Sequence, residues 1–230
     1  MSTKNIEVEV RGRLSKPEHS RLSLFLRRNG EFLSRKKRLL IDYSTIAEGI
    51  ENRKMDIRCR ITGDEPEIII KKGNMTSIAR EETSVRLQKG EFPNAIKLMK
   101  LLGYEKGVAT TRVISKYLYK RTEFSLVEII RINKKFKENE VCDYSYEAEV
   151  MSDTAGVVRA KQKLNKMLLK LDLPIFGEYL GALPPGSSIR VHEFSFGDYL
   201  RELHKSATIV MDANRDYGSI SSYANKRFHP

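Results

Sequence analysis

Two pairs of glutamates set two residues apart, Glu7 with Glu9 and Glu147 with Glu149, carry the residue types and spacing best suited to hard-cation chemistry. Carboxylate oxygens are the donors that Mg2+ or Mn2+ takes, and no histidine or cysteine cluster offers the nitrogen or sulfur that zinc prefers. Basic residues recur between these pairs at comparable spacing: Arg11, Arg58 and Arg60, Lys71 and Lys72, Arg80, and then Arg112 and Lys116. Arginine holds phosphate oxygens in planar bidentate contacts, and lysine acts on them as a point charge. Carboxylates and cations facing one space make chemical sense when a polyphosphate and a divalent metal complete the balance of charge. A carboxylate outside the metal shell can orient the attacking water. No GxxxxGK[ST] run is present, so such a site is not a P-loop.

These residues can meet only if strands position them. In Ile6-Glu7-Val8-Glu9-Val10-Arg11, period-two alternation puts Glu7, Glu9 and Arg11 on one face and the β-branched residues on the other. Met55 to Ile61 repeats the pattern with Asp56, Arg58 and Arg60. Glu67 to Lys72 ends at Gly73, and Lys71 and Lys72 face opposite ways, so only one of them can lie inside. Arg80 to Leu87 carries Glu82, Thr111 to Lys120 can place Arg112 and Lys116 together, Phe124 to Ile130 carries Glu128, and Tyr144 to Val150 carries Glu147 and Glu149. One such strand alone is explained by a sheet with a solvated face. The set asks for more, because glutamate-bearing first and last strands enclose mostly basic ones, and same-face carboxylates repel unless a cation separates them. A closed barrel with its charged faces inward satisfies both conditions, and its apolar outer face then needs helices.

Three helices are available to cover it. Pro17 to Arg28 follows a capping box between Ser15 and Glu18 and ends at Asn29-Gly30. Pro93 to Leu102 sets Ile96, Met99 and Leu102 at helical spacing before Gly103. Asp153 caps a third, with Val157, Leu164, Met167, Leu168 and Leu171 as its apolar stripe. Residues 173–230 form a helical and loop extension on the same domain, with a short helix from Phe196 to His204 and a frayed polar end from Ser219 to Pro230. Plugging one barrel mouth and packing outside are both open to it.

Composition sets the outer limits. The chain has 230 residues and 42 − 30 gives a net charge of +12, which points to an anionic partner: nucleic acid, a phosphorylated small molecule or an acidic membrane surface. No apolar run reaches the length of a membrane span or signal peptide, and Cys59 and Cys142 form no disulfide framework, so a cytoplasmic protein with reduced cysteines and no membrane partner is expected. The four histidines share no ligand spacing and are assigned to surface or loop roles.

The order of motifs resembles the CYTH, or triphosphate tunnel metalloenzyme, superfamily over roughly residues 5–172. Glu7-Val8-Glu9-Val10-Arg11 is similar to its ExExK strand with arginine in the lysine place, Arg58-Cys59-Arg60 to its RxR strand, and Lys72-Gly73 to its Lys-Gly. Arg80-Glu81-Glu82 is similar to its RxE strand, Leu101-Leu102-Gly103-Tyr104 to its helix end, and Glu147-Ala148-Glu149 to its closing ExE strand. The resemblance implies an α+β fold built on an eight-stranded antiparallel β-barrel, a tunnel with helices outside. It implies Mg2+ or Mn2+ on Glu7, Glu9, Glu128, Glu147 and Glu149, with Glu82 completing the acidic set. It places the substrate phosphates on Arg11, Arg58, Arg60, Lys72, Arg80, Arg112 and Lys116, and catalysis on Glu7, Glu9, Arg11 and Glu149.

The function expected on these grounds is metal-dependent hydrolysis of a triphosphate: inorganic triphosphate, thiamine triphosphate or a nucleoside triphosphate. RNA 5′-triphosphatase and adenylate cyclase activity are alternatives within the family, and a non-catalytic polyphosphate- or RNA-binding module is the alternative of another class. A monomer or a homodimer fits this reading.

Overall fold

The computed structural model describes residues 6–44, 55–73, 79–153, 155–177, 189–206 and 208–228. Strand β1 (Ile6–Leu14) leads into helix α1 (Lys16–Asn29), and β2 (Glu31–Asp42), β3 (Met55–Thr62), β4 (Glu65–Lys72) and β5 (Ala79–Arg86) follow. Helix α2 (Phe92–Leu101) precedes the three long strands β6 (Lys106–Tyr119), β7 (Thr122–Ile132) and β8 (Glu138–Ser152). The chain ends with α3 (Val157–Lys170), α4 (Phe196–Ser206), the short β9 (Ile209–Asp212) and α5 (Ala213–Phe228). Every strand pairing is antiparallel, and the order β2-β3-β4-β5-β1-β8-β7-β6 returns on itself because β6 also pairs with β2. The circuit is uneven. β2 and β6 run together from Glu31/Leu118 to Asp42/Val108, whereas β1 and β5 meet only at Glu7/Arg80 and Val8/Ala79. β9 extends the sheet by pairing with Lys106–Ala109 at the start of β6.

Alternation sends the charged side chains inward and the apolar ones out, so the apolar core lies between the barrel and its helices. On one side Val8 and Val10 of β1 and Tyr146 and Ala148 of β8 pack beneath Leu22 and Leu26 of α1 and Leu164 and Leu168 of α3. On the other, Leu39 and Ile41 of β2 and Ile57, Cys59 and Ile61 of β3 pack beneath Phe92, Ile96 and Met99 of α2 and Ile220 and Tyr223 of α5. Burying each Val, Leu, Ile, Phe or Met side chain among these contributes on the order of 1.5–3 kcal/mol. α1 starts as its sequence requires: the Ser15 hydroxyl accepts from the Glu18 backbone N–H at 3.4 Å, and the Glu18 carboxylate accepts from the Ser15 N–H at 2.8 Å.

Two elements differ from the sequence expectation. β2 is a strand of twelve residues that alternation does not reveal, because Arg35-Lys36-Lys37-Arg38 charges both of its faces in succession. The C-terminal stretch is not frayed over its described residues: α5 runs to Phe228, with Ile220, Tyr223, Ala224 and Phe228 buried. Its polar residues form the exposed side of an amphipathic helix.

The extension is tied to the barrel at Gly12. The Tyr146 hydroxyl donates to the Pro174 carbonyl at 2.8 Å, and the Phe176 N–H donates to the Arg11 carbonyl at 3.3 Å. A Cβ on Gly12 would lie 2.0 Å from the Pro174 carbonyl oxygen and 2.6 Å from the Tyr146 ring, so the close approach requires glycine. Gly12→Ala is expected to lower the unfolding free energy by about 2 kcal/mol in a urea titration followed by circular dichroism. A loss below about 0.5 kcal/mol would show that the 173–176 segment yields freely.

Candidate functional site: a barrel interior with an acidic and a basic wall

The acidic wall is built by β1, β8 and β7. Glu9 lies directly across from Glu149, Arg11 across from Glu147, and Glu149 across from Glu123, so Glu9, Glu149 and Glu123 form one row over three strands. Opposed carboxylates at this spacing repel, and burial strengthens the effect. Burial, opposed by Arg11 but reinforced by Glu147 and Glu7, pushes Glu9 up to about 7. Burial and then Glu7, Glu123 and Glu9 push Glu149 up to about 8. Burial pushes Glu147 up as well, yet Arg11, Arg112, Arg38 and Lys71 outweigh it and hold that carboxylate down at about 2. Glu7 lies below its ordinary value because Lys71, a hydrogen bond with Glu9 and the Arg11 charge outweigh burial. The four glutamates therefore divide into two that hold their charge and two that hold a proton near neutrality.

Cations are threaded among them. Arg11 pairs with Glu9 and lies 3.4 Å from Glu147, Lys71 lies 2.6 Å from Glu82 and 3.5 Å from Glu7, and Lys116 pairs with Glu123. Arg58 is held between Asp56 at 2.6 Å and Asp42 at 3.7 Å, and these two acids raise its pKa against the opposing effect of burial.

The basic wall is built by β2, β3 and β6. Arg38 of β2 stands across from Arg112 of β6 on one side and Thr62 of β3 on the other. Among the described residues neither Arg38 nor Arg112 has a carboxylate within ion-pair distance; Arg38 donates to the Thr62 hydroxyl at 2.9 Å, and Arg112 Nε is buried with no partner. Burial, then Arg60, then Arg112 lower Arg38 to about 9, which leaves it protonated at neutral pH but crowded by like charge. Arg60 does have a partner, Glu67 at 2.6 Å. Lys36, Arg38, Arg60, Arg86 and Lys116 line a cavity of ≈ 770 Å³ together with Glu65 and Glu67, and Lys36 is paired with Glu65 at 3.0 Å.

The other end of the barrel is filled by the extension. Phe176 and, from α4, Phe196, Tyr199 and Leu203 close around a chamber of only ≈ 60 Å³ that also contacts Arg11, Asp42, Arg58, Arg112 and Glu147. Arg11 lies over the Phe196 ring at 5.3 Å and Arg13 over the Tyr199 ring at 5.7 Å. Asp143 fastens this end, accepting from Arg13 at 2.8 Å and from the Tyr199 hydroxyl at 2.6 Å.

Most of the residues singled out from the sequence share this interior: Glu7, Glu9, Arg11, Arg58, Arg60, Glu82, Arg112, Lys116, Glu147 and Glu149 all belong to its network or lining. Arg112 and Lys116 are four apart on one strand and so both face inward. Arg80 takes its register position opposite Glu7, and its side chain lies outside the described residues. Two assignments are corrected. Lys72 is exposed, paired in register with Met55 and Glu81, and Lys71 occupies the interior. Arg58 faces Ile69 and Asp56 faces Lys71, so the parity of β3 selects Lys71. Glu128 is on the outer face, bonded to Arg35 at 3.0 Å, because it is five residues from the inward Glu123. Sequence reading named Lys71 as the alternative to Lys72 and missed Glu123, Lys36 and Arg38; the last two lie in the charge run that hides β2. Of the histidines, His19 departs from the expected surface or loop role, being buried in α1 against Tyr144, while His192 lies in a loop with its Nε2 accepting from the Arg13 N–H at 3.1 Å.

The donor set suits a hard divalent cation, since Glu7, Glu9, Glu123, Glu147 and Glu149 offer oxygen alone. Among the described residues no three acidic, histidine or cysteine side chains converge at metal-ligand distance; Glu7, Glu9, Glu147 and Glu123 each lean toward a basic neighbour. Burial first, and then the neighbouring carboxylates, raise Glu9 and Glu149, and a bound cation would offset both effects.

These opposite shifts fix the sign of a pH dependence in chelator-treated protein. Glu147, depressed to about 2, stabilises the fold above its unfolded value of 4.5 and loses that contribution as pH falls toward 2. Glu9 and Glu149, raised to about 7 and 8, withdraw stability as pH rises from 4.5 through those values. The melting temperature should therefore peak on the acidic side of neutrality, and Glu149→Gln should flatten the alkaline fall. A wild-type profile that rises steadily from pH 5 to about 9 would contradict this account of the carboxylates.

No family model matches the sequence and no curated protein matches it. Solved structures do. PH1819 protein of Pyrococcus horikoshii superimposes with a TM-score of 0.55 at 20% identity, over 73% of this chain and 90% of its own. A candidate adenylate cyclase of Vibrio parahaemolyticus does so with a TM-score of 0.55 at 14% identity, over 73% and 89%. A chain of the Schizosaccharomyces pombe Mediator head module reaches 0.54 at 10% identity, over 72% and 94%. Identities this low establish shared architecture and nothing about activity. The closed antiparallel sheet and its external helices are shared with these structures, and they are the barrel fold expected from the resemblance of the motifs to the CYTH superfamily.

Proposed function

We propose that the protein is a metal-dependent triphosphatase that binds a triphosphate moiety inside the barrel. The observation that carries this reading is the pairing of Arg38 with Arg112, desolvated and without a carboxylate at ion-pair distance among the described residues, facing a row of glutamates across the same interior. Burying cations this close without acidic partners is costly, and a polyanion placed among them offsets that cost. Arg38 and Arg112 would hold the phosphate chain, with Lys36, Arg60, Lys116 and Lys71 turning from their present carboxylates toward it. Glu7, Glu9, Glu147 and Glu149, with Glu123 in place of Glu128, would hold Mg2+ or Mn2+, whose chemistry is to withdraw charge from the phosphate oxygens as the P–O bond breaks. Where Glu149 stands outside the metal shell, it would orient the attacking water and take its proton, since burial and then Glu7, Glu123 and Glu9 raise it to about 8.

The cavity on the Lys36, Arg60 and Arg86 side is the open approach, because α4 fills the opposite end. A triphosphate would enter there and meet Arg11 and Arg58 at the closed end.

The direct test is phosphate release from tripolyphosphate, thiamine triphosphate, ATP and 5′-triphosphate RNA, each with Mg2+, Mn2+ or chelator, and with cyclic AMP measured on ATP. Release from one or more substrates that chelator abolishes is expected; no release from any, with either metal, would overturn the reading. Glu149→Gln should reduce release by about a hundredfold or more. The two neighbouring lysines separate the interior from the surface: Lys71→Ala should reduce release by about tenfold or more, and Lys72→Ala should leave it within about twofold. Equal effects of the two would refute the register-based assignment.

A further inference from the structure

The barrel does not account for all of the positive charge. On α3, Arg159, Lys163, Lys166 and Lys170 are exposed and fall at positions i, i+4, i+7 and i+11, which places them in a single stripe roughly 16 Å long. The helix contains no acidic residue, and among the described residues none of the four forms an ion pair. The stripe borders a groove of ≈ 440 Å³ whose far wall is the β6–β7 hairpin and whose floor is apolar, made by Tyr119, Met167 and Leu171. Lys163 Nζ donates to the Lys120 carbonyl at 3.3 Å, so helix and hairpin are fastened together. The hairpin tip adds two more cations. Tyr119 pairs with Thr122, which leaves a two-residue turn of Lys120 and Arg121, at φ 50° and 62°. Both positions favour asparagine or glycine, and here both are given to long basic side chains. Lys120 Nζ lies 5.2 Å from the Tyr119 ring, over the groove floor.

We infer that this groove is a docking strip for single-stranded nucleic acid, with RNA the natural probe, on the outside of the barrel and independent of the triphosphate site. A row of lysines at one-turn intervals suits a strand with one charge per repeat, since a lysine needs no fixed fork geometry to follow a phosphate. The Tyr119 ring beside the basic row, packed edge-on with Phe25 and covered by Lys120, would offer an unpaired base a stacking face once Lys120 turns to a phosphate. A membrane surface fits less well. The apolar side of α3, Leu164 and Leu168, is packed against the barrel and has nothing to insert into lipid. An acidic peptide supplies the charge but has no planar groups for the floor.

The test uses the full chain and a labelled 5′-hydroxyl oligouridylate, which carries no triphosphate, in a fluorescence anisotropy titration over a range of salt. Lys163→Gln/Lys166→Gln/Lys170→Gln should weaken binding by about tenfold or more and flatten the slope of log K against log salt by about 2, at ~0.7 per phosphate contact. Its far-UV spectrum and its phosphate release from tripolyphosphate should match the wild type, since these side chains are exposed and outside the barrel. Arg38→Ala should bind the oligonucleotide as the wild type does. The inference is overturned if wild type does not bind RNA at low salt, if the triple variant binds like wild type, or if Arg38→Ala loses binding while the triple variant keeps it. It is also overturned if poly-glutamate or phosphatidylserine vesicles are bound as tightly as the RNA.

Discussion

The structure depends on one electrostatic constraint: rows of like charge are turned inward and placed opposite one another across a closed sheet. Glu9 faces Glu149, which faces Glu123, while Arg38 faces Arg112. Neither arrangement is stable in isolation, since burial magnifies repulsion. The fold tolerates it by interleaving the signs. Arg11 stands between Glu9 and Glu147, Lys71 between Glu7 and Glu82, and Arg58 between Asp42 and Asp56. What remains unbalanced is concentrated at Arg38 and Arg112, and that residue of charge is where an anion would be held.

The same constraint explains why the core lies outside. A barrel whose inner faces are charged has only its outer faces to bury, so α1 and α3 cover β1 and β8 while α2 and α5 cover β2 and β3. The helices supply the apolar contacts that hold the strands in place despite the interior repulsion. α4 departs from this pattern: it brings Phe196 and Tyr199 against Arg11 and Arg13 and closes one end of the barrel. The extension is thus part of the site as well as of the scaffold.

How much of this was legible in the sequence follows from where the alternation is clean. In β1, β3 and β8 charged residues two apart mark the inner face, so the sequence alone puts Glu7, Glu9, Arg58, Arg60, Glu147 and Glu149 on one side of their strands. Where charge fills consecutive positions the method fails. Arg35 to Arg38 concealed β2 altogether, and with it Arg38, and the adjacent Lys71 and Lys72 were told apart only by the β3–β4 register. Glu128 was misplaced because β7 is apolar on both faces through its middle, leaving no periodic signal to show that Glu123 is the inward acid. The plugging role of α4 was not legible, since it depends on tertiary contacts of Asp143, Arg13 and Tyr199 that no local pattern encodes.

Architecture alone does not decide what such a barrel does, since chains as different as a candidate cyclase and a Mediator head subunit share it. The charge at Arg38 and Arg112, set against the glutamate row, is the feature that argues for a bound triphosphate. The most direct measurement is therefore a calorimetric titration of tripolyphosphate into the wild-type chain and into Arg38→Ala, with Mg2+ and with chelator. Saturable binding at one site per chain, strengthened by Mg2+ and weakened by about tenfold or more in Arg38→Ala, is what the account predicts. Absence of binding by the wild type, or binding that Arg38→Ala leaves untouched, would contradict it.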